Sequence, residues 1–162
     1  MVSEAPPFWW GDADWRAWAL WPFSAAYGAV AARRLRNAPR EKVPAPVLCV
    51  GNLTVGGSGK TPVAIALAGQ AAAMGLKPGI LSRGHGGSVS GHPPLVDPRH
   101  DSARHVGDEP MLLARAAPVA VSADRAAGAR ALIARGCDFL IMDDGFQSAR
   151  IHIDYALIVV DA

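Results

Sequence analysis

From residue 43 onward the hydrophobic positions fall in short runs separated by Gly- and Pro-rich stretches. Val47 to Val50 is continuously apolar, the pattern of a strand buried on both faces. A glycine-rich stretch follows, and then residues Pro62 to Met74 read as a helix, with apolar positions at Ile65, Leu67 and Ala71 and Gly75 placed to end it. Beyond it the pattern predicts a strand at Gly79 to Ser82, a polar Gly/Pro/His-rich segment from Gly84 to Val106 and a helix from Pro110 to Ala116. A strand at Pro118 to Ser122, a helix at Ala123 to Arg135 ended by Gly136, and strands at Phe139 to Met142 and Tyr155 to Val160 complete the series. Strands alternating with helices predict an α/β fold, a largely parallel sheet flanked by helices.

The N-terminal stretch has a different texture. Phe8 to Tyr27 holds all five tryptophans, Trp9, Trp10, Trp15, Trp18 and Trp21, together with Phe23. Ala17 to Ala32 is apolar but shorter than the roughly 20 residues that span a bilayer, and Pro22, Ser24 and Gly28 interrupt it. From Pro22 the spacing of Phe23, Tyr27, Val30 and Ala31 suits one face of a helix, with Arg33, Arg34 and Arg36 in its last turn and Arg40 and Lys42 beyond. Rings beside a cluster of cations suit a segment lying in the interface of an anionic leaflet, where each cation contributes about 1 kcal/mol. The same pattern also suits a helix packed on the protein's own core with arginines at its solvated end. Residues Asn37 to Pro46 read as a linker, which divides the chain into an N-terminal helical segment, residues 1–42, and an α/β domain, residues 43–162.

Composition narrows this picture only in part. At 51% hydrophobic and 19% charged, the 162-residue chain is too apolar for disorder, and 17 glycines and 13 prolines interrupt it too often for a long bundle. A net charge of +2 gives no ground for a nucleic-acid partner. Cys49 and Cys137 border apolar runs without C-x-x-C spacing and read as buried thiols of a reducing compartment. Glu4, Asp12 and Asp14 stand where a secretory signal would be basic, so a cytoplasmic setting is expected.

The chemistry concentrates in three places. G-N-L-T-V-G-G-S-G-K-T-P, Gly51 to Pro62, lies between a predicted strand and a predicted helix, the setting of a P-loop. In such a loop the backbone N–H groups of Gly56, Gly57, Ser58 and Gly59 wrap phosphates, Lys60 reaches the β- and γ-phosphates, and Thr61 offers a hydroxyl to Mg²⁺. Thr54 occupies the first glycine position of the usual G-x-x-x-x-G-K-[ST] pattern. F-L-I-M-D-D-G-F-Q, Phe139 to Gln147, delivers Asp143 and Asp144 to the carboxyl end of a strand, where a carboxylate can hold Mg²⁺ directly or through water. In V-G-D-E-P, Val106 to Pro110, Asp108 and Glu109 precede a helix; locally they need be no more than acids at a helix start.

Taken in order, the loop Gly51 to Pro62, L-S-R-G (Leu81 to Gly84), V-G-D-E-P and D-D-G-F-Q resemble the tetraacyldisaccharide 4'-kinase family. The Trp-rich start with its basic helix is similar to that family's membrane-associating N-terminus. The resemblance implies a P-loop NTPase-like fold and Mg²⁺-dependent transfer of the ATP γ-phosphoryl group to the 4'-hydroxyl of a tetraacyldisaccharide 1-phosphate. The product would be lipid IVA, made at the cytoplasmic face of a Gram-negative inner membrane by a peripheral or monotopic protein. It implies further that Asp108 is the catalytic base, that Lys60 acts on the γ-phosphate, and that Glu109 assists Thr61, Asp143 and Asp144 at the metal. Arg125, in S-A-D-R, corresponds to a phosphate-contacting residue. His85 stands where the family has Tyr after S-R-G, and Ser148 where it has His after D-D-G-F-Q. The family also runs to about twice this length in two α/β domains, which leaves open a non-catalytic nucleotide-binding fragment. A partitioning or metal-delivery ATPase, with its K-G-G-x-G-K-[ST] loop, is disfavoured because Val55 holds the signature lysine position.

Overall fold

The computed structural model describes residues 15–52, 59–83, 95–146 and 150–160. Its chain clusters into two compact units, Met1–Ala38 and Pro39–Ala162.

The first unit contains one helix, α1 (Trp15–Asn37). It begins seven residues before Pro22, where the sequence pattern would start it, and runs through the proline. A proline within a helix removes the bond from its own nitrogen to the carbonyl four residues back, a cost of about 3 kcal/mol, and the Trp and Ala neighbours on both sides continue the helix regardless. Trp15, Trp18, Trp21, Phe23 and Tyr27 are all at least 65% exposed, so α1 presents its large rings outward rather than into a core of its own. No described helix is long and apolar enough to cross a membrane.

The second unit is a five-stranded sheet in the order β3-β2-β4-β1-β5, formed by β1 (Val47–Gly51), β2 (Pro78–Ser82), β3 (Val119–Val121), β4 (Phe139–Asp143) and β5 (Tyr155–Ile158). Every strand pairing in it is parallel. Helices α2 (Lys60–Ala73), α3 (Ala103–Val106), α4 (Asp108–Leu113) and α5 (Arg125–Ala134) connect the strands.

Alternation along the strands divides the core in two. Cys49, Leu81, Leu140 and Met142 pack with Ala129 and Leu132 of α5. Their sequence neighbours Val50, Ile80 and Ile141 point the other way, onto Ala64 and Ala68 of α2 and Leu113 of α4. The central strands β1, β2 and β4 are therefore covered on both faces, which explains their uninterrupted apolar runs. Small residues on α2, Ala64, Ala68 and Ala71, let it sit close against the sheet.

Two sequence expectations shift in this unit, and one expected strand proves to be an exposed edge. Residues 41–45 are no free linker: Glu41 bridges to Ile151 in parallel, its N–H donating to Arg150 O at 3.0 Å, while Val43 and Ala45 are buried. Within the polar segment from Gly84 to Val106, Leu95 bridges to Ala120 and packs on the α5 side of the sheet, while Val96 and Val106 enter the core on the α2 side. Residues 84–94 of that segment lie outside the described residues. Finally β5 is exposed at all four positions, because it forms the edge beyond β1 and no described helix lies on it.

Candidate active site

Register brings the chemistry together. β1 and β4 are neighbours, with Val50 opposite Asp143, so the loop that leaves β1 starts beside the acidic pair that ends β4. This is the carboxyl edge of a parallel sheet, where ligands of such folds bind.

Gly59 caps α2 with φ 72°, a left-handed conformation that glycine adopts without a steric penalty. The helix then starts at Lys60, two residues earlier than its apolar spacing suggests, because Pro62 in the first turn needs no N–H partner. Lys60 is thereby fixed at the helix start, its Nζ donating to Asn52 Oδ1 at 2.8 Å and lying 3.8 Å from Asp144 Oδ1. Thr61 follows, with its hydroxyl donating to Glu109 Oε1 at 2.5 Å and standing 3.4 Å from Asp143 Oδ2.

Glu109 reaches this point because α4 begins at Asp108, two residues before the sequence pattern starts it. Gly107 at φ 98° precedes the helix, and Asp108 and Glu109 form its first turn, the placement a helix dipole favours for acids. Asp108 is exposed beside Glu109.

Asp143 is 3% exposed, and its Oδ1 finds no hydrogen-bond partner among the described residues. Burial above all, then the nearby Glu109 and Asp144 charges, pushes its carboxyl up to about 6, against the opposing pull of the Thr61 hydroxyl and Lys60. At about 1.4 kcal/mol per pH unit, holding this charge costs the fold on the order of 3 kcal/mol at neutral pH. Leu140, Ile141 and Met142 precede it on the same strand, fully buried. At roughly 1.5–3 kcal/mol each they outweigh that cost, so β4 can present a desolvated carboxylate without losing its place. A buried carboxylate oxygen lacking a donor, next to a hydroxyl and a second carboxylate, suits a hard cation. Mg²⁺ takes one or two carboxylates and completes its shell with water and phosphate oxygens, so the donors present fit it.

Arg125 opens α5, which Asp124 caps by accepting from the N–H groups of Ala126 and Ala127. Its side chain is 3% exposed and donates to Ser122 O at 3.3 Å. Burial, and after it the like charge of Arg83, lowers its pKa, while Asp143, Asp144 and Cys49 oppose the shift. Arg125 therefore lies within electrostatic reach of the acidic pair. Cys49, under the same strand ends, is pushed up to about 11 by burial and is an inert core thiol; Cys137 is buried too.

Among the residues read from the sequence, the structure gathers Lys60, Thr61, Glu109, Asp143 and Asp144, sets Asp108 next to them in the same helical turn, and brings Arg125 to the same sheet edge. Gly56, Gly57 and Ser58 lie outside the described residues. Sequence reading missed Asn52 as the lysine's acceptor, the proximity of Arg83 to Arg125, and Phe146, which lies against Gly51. A cavity of about 320 Å³ lined by Pro98, Arg115, Pro118 and Arg135 opens at the opposite, amino-terminal end of β3 and contains none of these groups.

The model of the tetraacyldisaccharide-1-P 4'-kinase family matches residues 16–162. The chain belongs to that family. A tetraacyldisaccharide 4'-kinase of Mesorhizobium japonicum is 72% identical over the whole of this chain and 48% of its own length. One from a Chelativorans species is 68% identical, covering 99% of this chain and 47% of its own. The chain thus spans about half the length of the curated relatives it matches. Among solved structures, the LpxK of Aquifex aeolicus, described as in complex with ATP, superposes with a TM-score of 0.74 at 32% identity, covering 86% of this chain and 47% of that one. The parallel sheet with its flanking helices is thus that of the matched part of LpxK.

Proposed function

We propose that this chain is the ATP-binding half of a kinase that moves the γ-phosphoryl group of ATP to the 4'-hydroxyl of a tetraacyldisaccharide 1-phosphate, giving lipid IVA. The observation that carries the reading is the Thr61 hydroxyl set between Glu109 and Asp143, with the Lys60 ammonium one residue away at the start of α2. In this reading the N–H groups from Gly56 to Gly59 wrap the phosphates and Lys60 grips the β- and γ-oxygens. Thr61, Asp143 and, through water or directly, Glu109 and Asp144 hold Mg²⁺, which when bound offsets the negative charge of the phosphates. Arg125 adds positive potential to the same edge. Asp108, exposed beside Glu109, is the carboxylate that accepts the acceptor hydroxyl's proton.

The test is transfer itself. A protein of the relatives' full length carrying this segment, given γ-labelled ATP, Mg²⁺ and tetraacyldisaccharide 1-phosphate, should label the disaccharide. Label released only as inorganic phosphate, with or without the acceptor, would favour an ATPase of the partitioning type instead.

The acceptor is a lipid, so the protein works at a membrane surface, here the cytoplasmic face of the inner membrane. Support comes from α1, whose exposed Trp15, Trp18 and Trp21 lead toward a basic C-terminal end. Such a helix lies in an anionic interface. Cosedimentation with phosphatidylglycerol-containing vesicles should weaken as salt rises and on removal of residues 1–42. Binding that is equal on neutral and anionic vesicles at every ionic strength would exclude the basic end from the attachment.

A further inference from the structure

Among the described residues Lys60 has two partners, and one turn bears on both. After β4 the chain reverses sharply at Asp144, whose φ of 52° lies in the left-handed region, uncommon for a residue with a side chain. Two contacts pin this turn to the end of β1. The Asp144 N–H donates to Val50 O at 3.0 Å. Two residues on, the Phe146 ring lies directly on the Gly51 backbone, so close that a Cβ there would stand 2.3 Å from the ring's Cδ2. Gly145 is fitted as tightly, since a Cβ on it would meet Met142 Cε at 2.4 Å.

The next residue after Gly51 is Asn52, whose Oδ1 accepts the Lys60 ammonium, and the ammonium's other neighbour is Asp144 itself. Val50 and Gly51 on one side and Asp144 and Phe146 on the other thus form a clamp whose two jaws each carry one partner of the lysine. We propose that Phe146 is a positioning residue for nucleotide binding: by resting on Gly51 it sets the spacing between Asn52 and Asp144, and through them the direction in which Lys60 points. A ring that only filled the core would hold the fold together without touching that spacing. The proposal rests on the reading that Lys60 grips the nucleotide phosphates.

The two roles part in a binding measurement on this chain. Mg·ATP affinity is read by titration calorimetry at a temperature where circular dichroism shows each variant folded, and thermal midpoints are read alongside. Phe146→Ala should weaken Mg·ATP by about tenfold or more, the size of coupling expected between groups in direct contact. Phe146→Tyr, which keeps the flat ring, should stay within about twofold of the parent, whereas Phe146→Leu, which keeps bulk but loses the plane, should fall between. On a Lys60→Ala background the Phe146→Leu change should cost nothing more, because the residue it positions is gone. Should Phe146→Ala not fold, the Leu and Tyr variants carry the comparison. A lowered midpoint with unchanged affinity in the folded Phe146→Leu variant would overturn the positioning role. If Lys60→Ala itself binds Mg·ATP like the parent, the phosphate-loop reading fails first, a result distinct from failure of the clamp.

Discussion

Replacing Lys60 by Ala should weaken Mg·ATP binding by this chain on the order of 10²-fold, to an affinity still within reach of titration, while leaving the fold in place. Charge-assisted hydrogen bonds contribute about 1.5–3 kcal/mol each, and a lysine that meets both β- and γ-oxygens makes at least two. The surroundings enlarge the effect. Glu109 and Asp143 meet at the Thr61 hydroxyl with Asp144 beside them, and Lys60 is a cation held against this cluster, 3.8 Å from Asp144. Without it the triphosphate would approach three carboxylates with less compensation. Lys60 also pulls the Asp143 carboxyl down from where burial drives it, so in the variant that carboxyl should titrate higher than about 6. Folding should survive, since Lys60 is a helix-start residue and takes no part in either apolar cluster. Lys60→Arg should not rescue binding, because a planar fork cannot replace a compact ammonium between Asn52 and Asp144. Calorimetry with Mg·ATP and carboxyl titration by NMR check both parts, and parental affinity in Lys60→Ala would remove the lysine from the site.

The sheet was legible because its central strands are buried on both faces. Val47–Val50, Gly79–Ser82 and Phe139–Met142 are runs of apolar residues bounded by turn residues, and each falls within a residue or so of the strand observed. Helix starts were less legible, and for one shared reason. In both α2 and α4 the first turn is made of polar residues needed at the sheet edge, Lys60 and Thr61 in one and Asp108 and Glu109 in the other, with a proline third in each. Apolar periodicity cannot register a turn that faces a site instead of a core. The packing of 41–45 escaped notice because its partner, residues 150–152, lies more than a hundred positions away, and pairing at that distance leaves no local pattern.

The site followed the same division. The residue types at Lys60, Thr61, Asp143 and Asp144 announce themselves by their motifs, since the first two sit where a glycine-rich loop enters a helix and the last two where a strand ends. Glu109 could be joined to them only through the resemblance, for nothing in V-G-D-E-P states that its carboxylate meets a hydroxyl 48 positions earlier. Asn52 and Phe146 lay inside quoted motifs yet carried no signal of their own. An asparagine after a strand and a phenylalanine after a turn have many uses, and only the fold brings them to bear on Lys60 and Gly51.

Asp108→Ala, in a protein of the relatives' full length, should lower phosphoryl transfer to the disaccharide by about 10²-fold or more, the usual worth of a positioned base, while Mg·ATP binds as before. The geometry separates the two effects. Glu109, not Asp108, bonds the Thr61 hydroxyl, and Lys60 is held by Asn52 and Asp144, so removing the Asp108 carboxylate disturbs none of the contacts described at Lys60 and Thr61. As a first-turn acid of α4 it also contributes helix stability, but that is about 0.3–1 kcal/mol, too little to alter a rate a hundredfold in a folded protein. Asp108→Asn is the sharper variant, since it keeps the shape and the helix start and removes only the proton acceptor; it should lose nearly as much activity as Ala. Asp143→Ala should behave differently. Its carboxylate is buried with an oxygen that no described donor satisfies, so its loss should raise the Mg²⁺ concentration needed for half-maximal rate, and added Mg²⁺ should restore part of the activity. Added Mg²⁺ should restore none to Asp108→Asn. Steady-state rates across a Mg²⁺ titration distinguish the two carboxylates, and near-parental transfer by Asp108→Asn would return Asp108 to the helix-start role its local sequence already explains.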